Sequence, residues 1–182
     1  MRTVFLGTSA FAAGVLERLA ATPHRPALVV TRPDRPAGRG RRLTPPPVAT
    51  AARALELGVA QTERVNGDEA RAAIAAARPE VVVVCAFGAL ITEPLLSDFE
   101  LLNVHPSLLP RWRGAAPIER AIMAGDQRTG VAIMRVTAGL DEGPVALVGD
   151  EPIAREDDYG TLSGRLQGLG ADLLVRALDE RP

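Results

Sequence analysis

An apolar run at Val81–Ala86 reads VVVVCA and is bounded by Pro79 and Gly88. Consecutive β-branched residues favour a strand that is buried on both faces, which is typical of the centre of a parallel sheet. Outward from this run along the chain, Thr3–Leu6 and Leu101–Val104 have the composition of two further short buried strands. The three segments together predict the core of an α/β sheet.

Helical and extended patterns alternate on both sides of these strands. Apolar residues recur at helical spacing in Phe11–Ala21, with Thr8 or Ser9 as its cap. Further helices are predicted at Val48–Leu57, Gly67–Ala77, Ile118–Ala124 and from Asp158 or Thr161 to Leu178, and further strands at Ala27–Thr31, Val59–Ala60, Gly130–Val136 and Val145–Glu151. This order predicts a doubly wound, mostly parallel sheet whose last two strands form an antiparallel pair. The segment Arg32–Pro47 is rich in proline and glycine, and we expect no regular structure there.

Composition excludes several classes of protein and site. With 182 residues, 47% of them hydrophobic, the chain suits one globular α/β domain. No apolar run is long enough to span a bilayer and the start is unlike a signal peptide, so we expect a cytoplasmic protein. A single cysteine and the absence of lysine exclude a disulfide framework, a Schiff-base lysine and a P-loop lysine. No metal-binding motif occurs, and no metal is expected.

The sharpest chemical signal is the pair Asn103 and His105, which lie two positions apart. Residues i and i+2 of an extended chain point to the same side, so the amide and the imidazole would face one pocket at a strand end. The amide can donate to an oxyanion and the imidazole can transfer protons, which suits acyl transfer. The alternative is a polar strand end with a hydrogen-bonded histidine. His24 is the other histidine, and we expect it to lie solvated in a turn.

Asp141 is a second candidate for the same pocket. It lies between Gly139 and Gly143, which suggests a tight loop whose carboxylate orients an imidazole. The alternative is an ordinary surface turn.

Two arginine-rich segments suggest nucleic-acid contacts. The segment Arg32–Arg42 contains five arginines and one acid among flexible glycines and prolines, which suits a loop that meets phosphates. Trp112 stands between Arg111 and Arg113, where an exposed ring can stack on a base. The alternatives are a solvated loop for the first segment and a tryptophan that covers core for the second.

Three stretches, Asn103–Ile118, Pro33–Gly40 and Gly139–Asp141, resemble the methionyl-tRNA formyltransferase family, and similarity runs from Met1 to about Leu178. The N-x-H…S-L-L-P pattern with a later aspartate is shared with the wider formyltransferase superfamily. The extension WRGAAPI and the loop DRPAGRG are more particular to the tRNA enzymes. The resemblance implies a Rossmann-like formyltransferase fold.

The resemblance also implies an activity: formyl transfer from 10-formyltetrahydrofolate to the α-amine of methionyl-initiator tRNA, through a tetrahedral intermediate. Asn103 and His105 would stabilise that intermediate, and Asp141 would assist. The expected catalytic residues are Asn103, His105 and Asp141. The expected folate contacts are Ser107, Leu108, Leu109 and Pro110, to which the turn after the central strand adds Phe87, Gly88 and Leu90. The expected tRNA contacts are Arg35, Arg39, Arg41, Arg42, Arg111, Trp112 and Arg113.

The chain departs from that family in one respect. Methionyl-tRNA formyltransferases continue into a C-terminal β-barrel domain, to which nothing in this sequence corresponds. We therefore expect a catalytic domain at residues 1–179, the start of a linker or a truncated end at residues 180–182, and a monomer. Two alternatives stay open: a folate-dependent formyltransferase that acts on a sugar-nucleotide or ribonucleotide amine, and an inactive remnant that binds tRNA or folate.

Overall fold

The structure is a computed structural model that describes residues 1–38 and 40–181. Its strands are β1 Thr3–Gly7, β2 Pro26–Thr31, β3 Arg35–Ala37, β4 Arg42–Thr44, β5 Val59–Gln61, β6 Val81–Cys85, β7 Leu101–His105, β8 Arg128–Arg135 and β9 Val145–Pro152. Its helices are α1 Ala10–Ala20, α2 Pro47–Ala54, α3 Asp68–Ala76, α4 Leu95–Asp98, α5 Pro117–Met123 and α6 Tyr159–Asp179. In this part of the chain, no helix has the length and apolarity needed to cross a membrane.

Seven strands form one sheet in the order β5-β2-β1-β6-β7-β8-β9. Strands β5, β2, β1, β6 and β7 are parallel to one another, whereas β8 is antiparallel to both β7 and β9. The α/β sheet is therefore mostly parallel, with the antiparallel pair near the C-terminus, and both predictions are confirmed. The run that begins at Val81 is central, as predicted, because β6 lies between β1 and β7.

Strand β6 divides its side chains between two hydrophobic cores. Val81, Val83 and Cys85 pack in the core that includes α1 and α6, while Val82 and Val84 pack in the core on the opposite face. Burying a valine contributes about 1.5 kcal/mol or more, so both helical layers depend on this strand. A register slip of one residue would exchange every side chain between the two cores.

Both predicted N-caps are present. The Ser9 side chain accepts a hydrogen bond from the Ala12 N–H at 3.2 Å and begins α1. Asp158 and Thr161 form a reciprocal capping box that begins α6. These caps satisfy backbone N–H groups that the helices leave without partners.

The expectation of no regular structure in Arg32–Pro47 was wrong. Strands β3 and β4 form an antiparallel hairpin in which Pro36 faces Leu43. Gly38 has a φ of +69° and its carbonyl accepts from the Arg41 N–H at 3.1 Å, which closes the turn. An isolated two-stranded hairpin has no neighbouring strand that needs the missing proline N–H, so proline does not prevent pairing here. The short helix α4 was also not predicted.

The expectation that His24 is solvated was wrong as well. The residue is 5% exposed, and its Nε2 lies 2.8 Å from Asp179 Oδ1 at the end of α6. Its carbonyl accepts from the Thr3 hydroxyl at 2.8 Å. The turn is covered because α6 runs back across it, a long-range contact that the local sequence does not reveal.

Candidate functional site

A cavity of about 650 Å³ opens at the carboxyl ends of β6 and β7. In open α/β sheets, ligands bind outside the carboxyl ends of the strands. The cavity walls come from the turn after β6, the end of β7, the segment Gly114–Pro117 and the segment Val136–Asp141. Four separate parts of the chain therefore meet around one space.

Asn103, His105 and Asp141 meet in the wall of this cavity, as their sequence signals predict. The Asn103 Nδ2 group donates to Asp141 Oδ1 at 3.3 Å, and His105 Nδ1 lies 3.5 Å from Asp141 Oδ2. The Gly114 N–H donates to the same Oδ2 at 2.8 Å. One carboxylate thus connects the strand end, the loop after it and the segment after β8.

The loop around Asp141 has little conformational freedom. Asp141 itself has a φ of +49°, a region that costs energy for residues other than glycine. A side chain at Gly143 would come within 1.9 Å of the Arg135 carbonyl oxygen. Glycine at position 143 therefore lets the loop pack directly on the end of β8, which carries Asp141 into the cavity.

Each ring nitrogen of His105 faces an oxygen atom, and the residue is 5% exposed. Its Nε2 lies 3.0 Å from the Trp112 carbonyl oxygen. A carbonyl can only accept, so Nε2 carries the proton that is donated there. The Asp141 carboxylate can also only accept, but its contact with Nδ1 is longer, at 3.5 Å. In a neutral His105 the shorter bond therefore keeps the proton on Nε2 and leaves the lone pair on Nδ1, whereas a charged His105 donates towards both oxygens.

The predicted folate contacts fall into two groups. Phe87, Gly88 and Leu90 line the cavity. Within the described residues, the segment Ser107–Pro110 does not belong to that lining. Ser107 is fully buried and its hydroxyl donates to the Arg111 carbonyl at 2.6 Å, so it braces the loop that follows β7.

The predicted tRNA contacts on the hairpin are exposed. Arg41 and Arg42 point into solvent, and Arg35 shares the Glu63 carboxylate with Arg32. The side chain of Arg35 remains 62% exposed. Arg39 lies outside the described residues.

The predicted tRNA contacts in the second segment each have a partner within the protein, while the Arg111 and Arg113 side chains remain 57% and 42% exposed. Arg111 makes two hydrogen bonds to Asp126, at 2.8 and 2.6 Å, and its guanidinium lies 4.3 Å from the centre of the Trp112 ring. Trp112 Nε1 donates to Asp126 at 2.7 Å. Arg113 pairs with Glu142 at 3.0 Å. Asp126 was not predicted, because an acid after a glycine resembles any surface turn.

The described residues offer neither a nucleophilic cysteine nor a metal site. Burial raises the pKa of the Cys85 thiol far above its usual range, so this residue is part of the core rather than a nucleophile. Within the described part of the chain, no group of His, Cys, Asp or Glu is arranged to hold a metal ion.

Comparisons with known proteins show which family of sequences the chain is similar to. A sequence profile described as Formyl transferase matches residues 1–178. A methionyl-tRNA formyltransferase of Halorhodospira halophila is 50% identical over 98% of this chain and 58% of its own length. One from Ruegeria pomeroyi is 50% identical over 100% of this chain and 61% of its own length. The chain thus spans about three fifths of the curated relatives that it matches.

Solved structures show the same fold. A phosphoribosylglycinamide formyltransferase from Bacillus halodurans superposes with a TM-score of 0.79 at 25% identity, covering 98% of this chain and 93% of the other. A glycinamide ribonucleotide transformylase from Geobacillus kaustophilus gives a TM-score of 0.78 at 25% identity. Profile, relatives and fold agree, and the chain belongs to the formyl transferase family.

Proposed function

We propose that this chain transfers a formyl group from 10-formyltetrahydrofolate to the α-amine of methionyl-initiator tRNA. The observation that carries the proposal is the joined Asn103, His105 and Asp141 cluster in the cavity wall. The choice of acceptor is supported by relatives named methionyl-tRNA formyltransferase at 50% identity. Residues 1–179 would form the catalytic unit, since the family profile matches residues 1–178 and α6 ends at Asp179.

The cavity suits a folate with a flat polar ring. The turn after β6 has positive φ angles at Ala86 and Gly88, so the chain bends sharply away from the sheet. The Phe87 and Leu90 carbonyls already accept from Thr8 and Asn66. Among the described residues, the backbone N–H groups of Gly88 and Leu90 donate to no backbone carbonyl. These amides are available to a ring that presents acceptors, while Phe87 and Leu90 supply apolar walls.

The chemistry follows from the positions of the three side chains. The neutral amine attacks the formyl carbon, a C–N bond forms, and the carbonyl oxygen becomes an oxyanion. Asn103 has a second amide hydrogen beyond the one directed at Asp141, and this hydrogen can donate to the oxyanion. His105 can donate from Nδ1 only in its charged form, because Nε2 is directed at the Trp112 carbonyl. Asp141 is the counter-ion of that charged form.

The proton must then move from the attacking nitrogen to the leaving nitrogen. Asp141 is the carboxylate of the cluster, and it accepts the amine proton, directly or through water. It returns the proton to the folate nitrogen as the old C–N bond breaks and its electron pair goes to that nitrogen. The products are formyl-methionyl-tRNA and tetrahydrofolate, and no external acid or base is consumed.

The test uses Asn103→Ala, His105→Ala and Asp141→Asn with saturating formyl donor. Each change is expected to lower turnover by about 100-fold or more, the usual size for an oxyanion donor or a general acid–base group. His24→Gln is the matched histidine control, since His24 lies outside the cavity lining, and it should retain turnover. A loss within about threefold, below roughly 1 kcal/mol of barrier, would reject the assignment.

A second assay tests the acceptor. The similar solved structures are a phosphoribosylglycinamide formyltransferase and a glycinamide ribonucleotide transformylase. The rival proposal is therefore that the acceptor is the amine of a small molecule. Tetrahydrofolate release is followed with methionyl-tRNA and, separately, with free amino-nucleotides and amino-sugar nucleotides. Release with tRNA alone supports the proposal, release with a small amine supports the rival, and release with neither supports an inactive binding remnant.

A further inference from the structure

Asp126 is presented towards the loop Arg111–Arg113 by the end of helix α5. Gly125 has a φ of +69°, its N–H donates to the Ile122 carbonyl at 3.0 Å, and the Asp126 N–H donates to the Ala121 carbonyl at 3.1 Å. These two hydrogen bonds, together with a glycine in the left-handed conformation, form a Schellman motif, which ends the helix in a defined geometry. The carboxylate of Asp126 therefore stands on a rigid support, and its side chain is 15% exposed.

Three hydrogen bonds converge on this carboxylate. Arg111 Nε and Nη2 donate to Oδ2 and Oδ1 at 2.8 and 2.6 Å. Trp112 Nε1 donates to Oδ2 at 2.7 Å. The bonds from Arg111 and then from Trp112 hold the pKa of Asp126 below its usual value. A charged acceptor of this kind forms stronger bonds than a neutral one, so Asp126 fixes both neighbouring side chains.

The backbone of Trp112 is in an unusual conformation. Its φ is +60°, in the left-handed region that bulky residues avoid. Such a conformation persists only when contacts around it compensate for its cost. The side chain is anchored by Asp126, and the chain just before it is braced by the Ser107 hydroxyl on the Arg111 carbonyl. The result is a Trp112 carbonyl that accepts from His105 Nε2 at 3.0 Å.

We propose that Asp126 is a positioning residue, which holds the Trp112 backbone so that its carbonyl keeps the His105 proton on Nε2 and leaves Nδ1 facing Asp141. The inference rests on the proposed function for its kinetic consequence only. Its structural content is the tautomer of a neutral imidazole, which is measurable without any turnover. A hydrogen bond to one ring nitrogen determines the role of the other.

The direct test is nitrogen-15 NMR of the imidazole rings, with the formyl donor absent. The chain has two histidines, so His105→Gln identifies the signals and His24 serves as an internal reference. At a pH where His105 is neutral, the unaltered protein should show the Nε2–H tautomer. In Asp126→Ala the two tautomers of His105 should mix, while the His24 signals stay unchanged.

Two further variants separate positioning from folding. Trp112→Phe removes the indole N–H and keeps an aromatic ring, so it should loosen the tautomer preference with less effect on stability. Asp126→Glu retains the charge and should restore part of the preference. Asp157→Asn is the matched control: Asp157 is also held by a two-bond arginine contact, from Arg165 at 2.8 and 2.6 Å, but lies on the approach to α6. It should leave the His105 tautomer unaltered.

Kinetics supply the second readout. Asp126→Ala should lower kcat by about 10- to 100-fold, because a small misplacement of a reacting group by a distant change can cost about 100-fold in rate. KM for methionyl-tRNA should not rise, because Asp126 is engaged by Arg111 and Trp112, and the Arg111 charge released by the change can only favour an anionic substrate. Asp157→Asn should keep kcat.

The outcomes are distinguishable. If the unaltered protein shows the Nδ1–H tautomer, or if the Nε2–H tautomer survives in both Asp126→Ala and Trp112→Phe, the inference is overturned whatever the activity. If the tautomer responds to Asp126 but the unaltered chain releases no tetrahydrofolate, the proposed function fails and the positioning role stands. If the tautomer responds to Asp126, kcat falls in Asp126→Ala and KM does not rise, both are supported.

Discussion

The hairpin Arg35–Thr44 and the loop Arg111–Arg113 contain the same kind of side chain in different surroundings. In the hairpin, Arg41 in the turn and Arg42 at the start of β4 are exposed. In the loop, Arg111 and Trp112 converge on Asp126, and Arg113 is paired with Glu142. Arg35 of the hairpin is also paired, with Glu63. The contrast therefore lies between the exposed Arg41 and Arg42 and the paired arginines, which have less to offer a phosphate. Under the proposed function, we expect the hairpin to face the tRNA and the loop Arg111–Arg113 to support His105.

The largest expected contrast comes from removing the hairpin charges. Arg41→Ala combined with Arg42→Ala should raise KM for methionyl-tRNA about tenfold at moderate salt and reduce the slope of log affinity against log salt by roughly one per lost phosphate contact. The value of kcat at saturating tRNA should stay within about twofold. Initial rates at several salt concentrations measure both. Arg155→Ala, an exposed arginine outside both segments, is the control.

If Arg111→Ala raises KM for methionyl-tRNA as strongly as the hairpin variant does, the hairpin and the loop Arg111–Arg113 do not have separate tasks. In that case the ion pair with Asp126 opens when tRNA binds, and the loop contacts nucleic acid after all.

A smaller effect is expected from removing the carboxylate of Glu63, which pairs with Arg35 of the hairpin. Glu63→Gln deprives Arg32 and Arg35 of their shared partner. The released charges should lower KM for methionyl-tRNA about threefold and steepen the salt dependence by roughly one unit. Initial rates at several salt concentrations measure the change in KM, and filter binding measures the change in the dissociation constant. Unaltered or weaker binding would mean that Glu63 orders these arginines for the tRNA rather than competing with it.

The pH dependence of stability should identify the Asp126 contacts. Its pKa in the folded chain is lowered, chiefly by Arg111 and then by Trp112. The stabilisation is therefore complete above the unfolded carboxyl pKa of about 3.9 and is lost as pH falls through the lowered value. Asp126→Asn should reduce Tm by about 2–4 °C near neutral pH, and the difference from the unaltered chain should shrink below about pH 4.

Thermal unfolding followed by circular dichroism from pH 7 to pH 2.5 is the measurement. Asp157→Asn should behave in the same way, because the bonds from Arg165 first and the Ala154 N–H next also lower the pKa of Asp157. A Tm difference for Asp126→Asn that grows on acidification has the opposite sign and contradicts the Asp126 assignment.

The smallest predicted effect is optical. Trp112 is the only tryptophan, so the intrinsic fluorescence reports this loop alone. If Arg111 and Asp126 keep the ring in place, adding methionyl-tRNA should change the emission by less than about 10%. Base stacking on the indole would instead quench it strongly. Fluorescence titration at low salt, with a free-tryptophan control for absorption by the tRNA, decides between the two.

Much of the framework was predictable because its signals are local. The valine run identified the central strand, and the Asn103-x-His105 spacing predicted two side chains on one side of a strand end. The glycines around Asp141 indicated a constrained loop. In each of these cases a neighbouring residue, two or three positions away, carries the information, so the pattern and the structure agree.

The failures have a common physical origin. His24 is buried by Asp179, at a separation of 155 residues, and Asp126 meets Trp112 from the far end of a helix. Arg32–Pro47 contains a hairpin although its composition suggested none, because pairing across a turn depends on which residues face each other rather than on how many are proline or glycine.

Sequence alone determined the α/β class of this chain, the position of its central strand and the residues able to carry acyl chemistry. Those properties depend on backbone propensity, on periodic burial and on side-chain type. Only the tertiary structure shows which arginines are paired with a carboxylate and which nitrogen of His105 faces the Trp112 carbonyl. Both depend on the approach of Asp126, Trp112 and Asp141 from distant parts of the chain, and hydrogen bonds form only when such groups come within about 3 Å of one another.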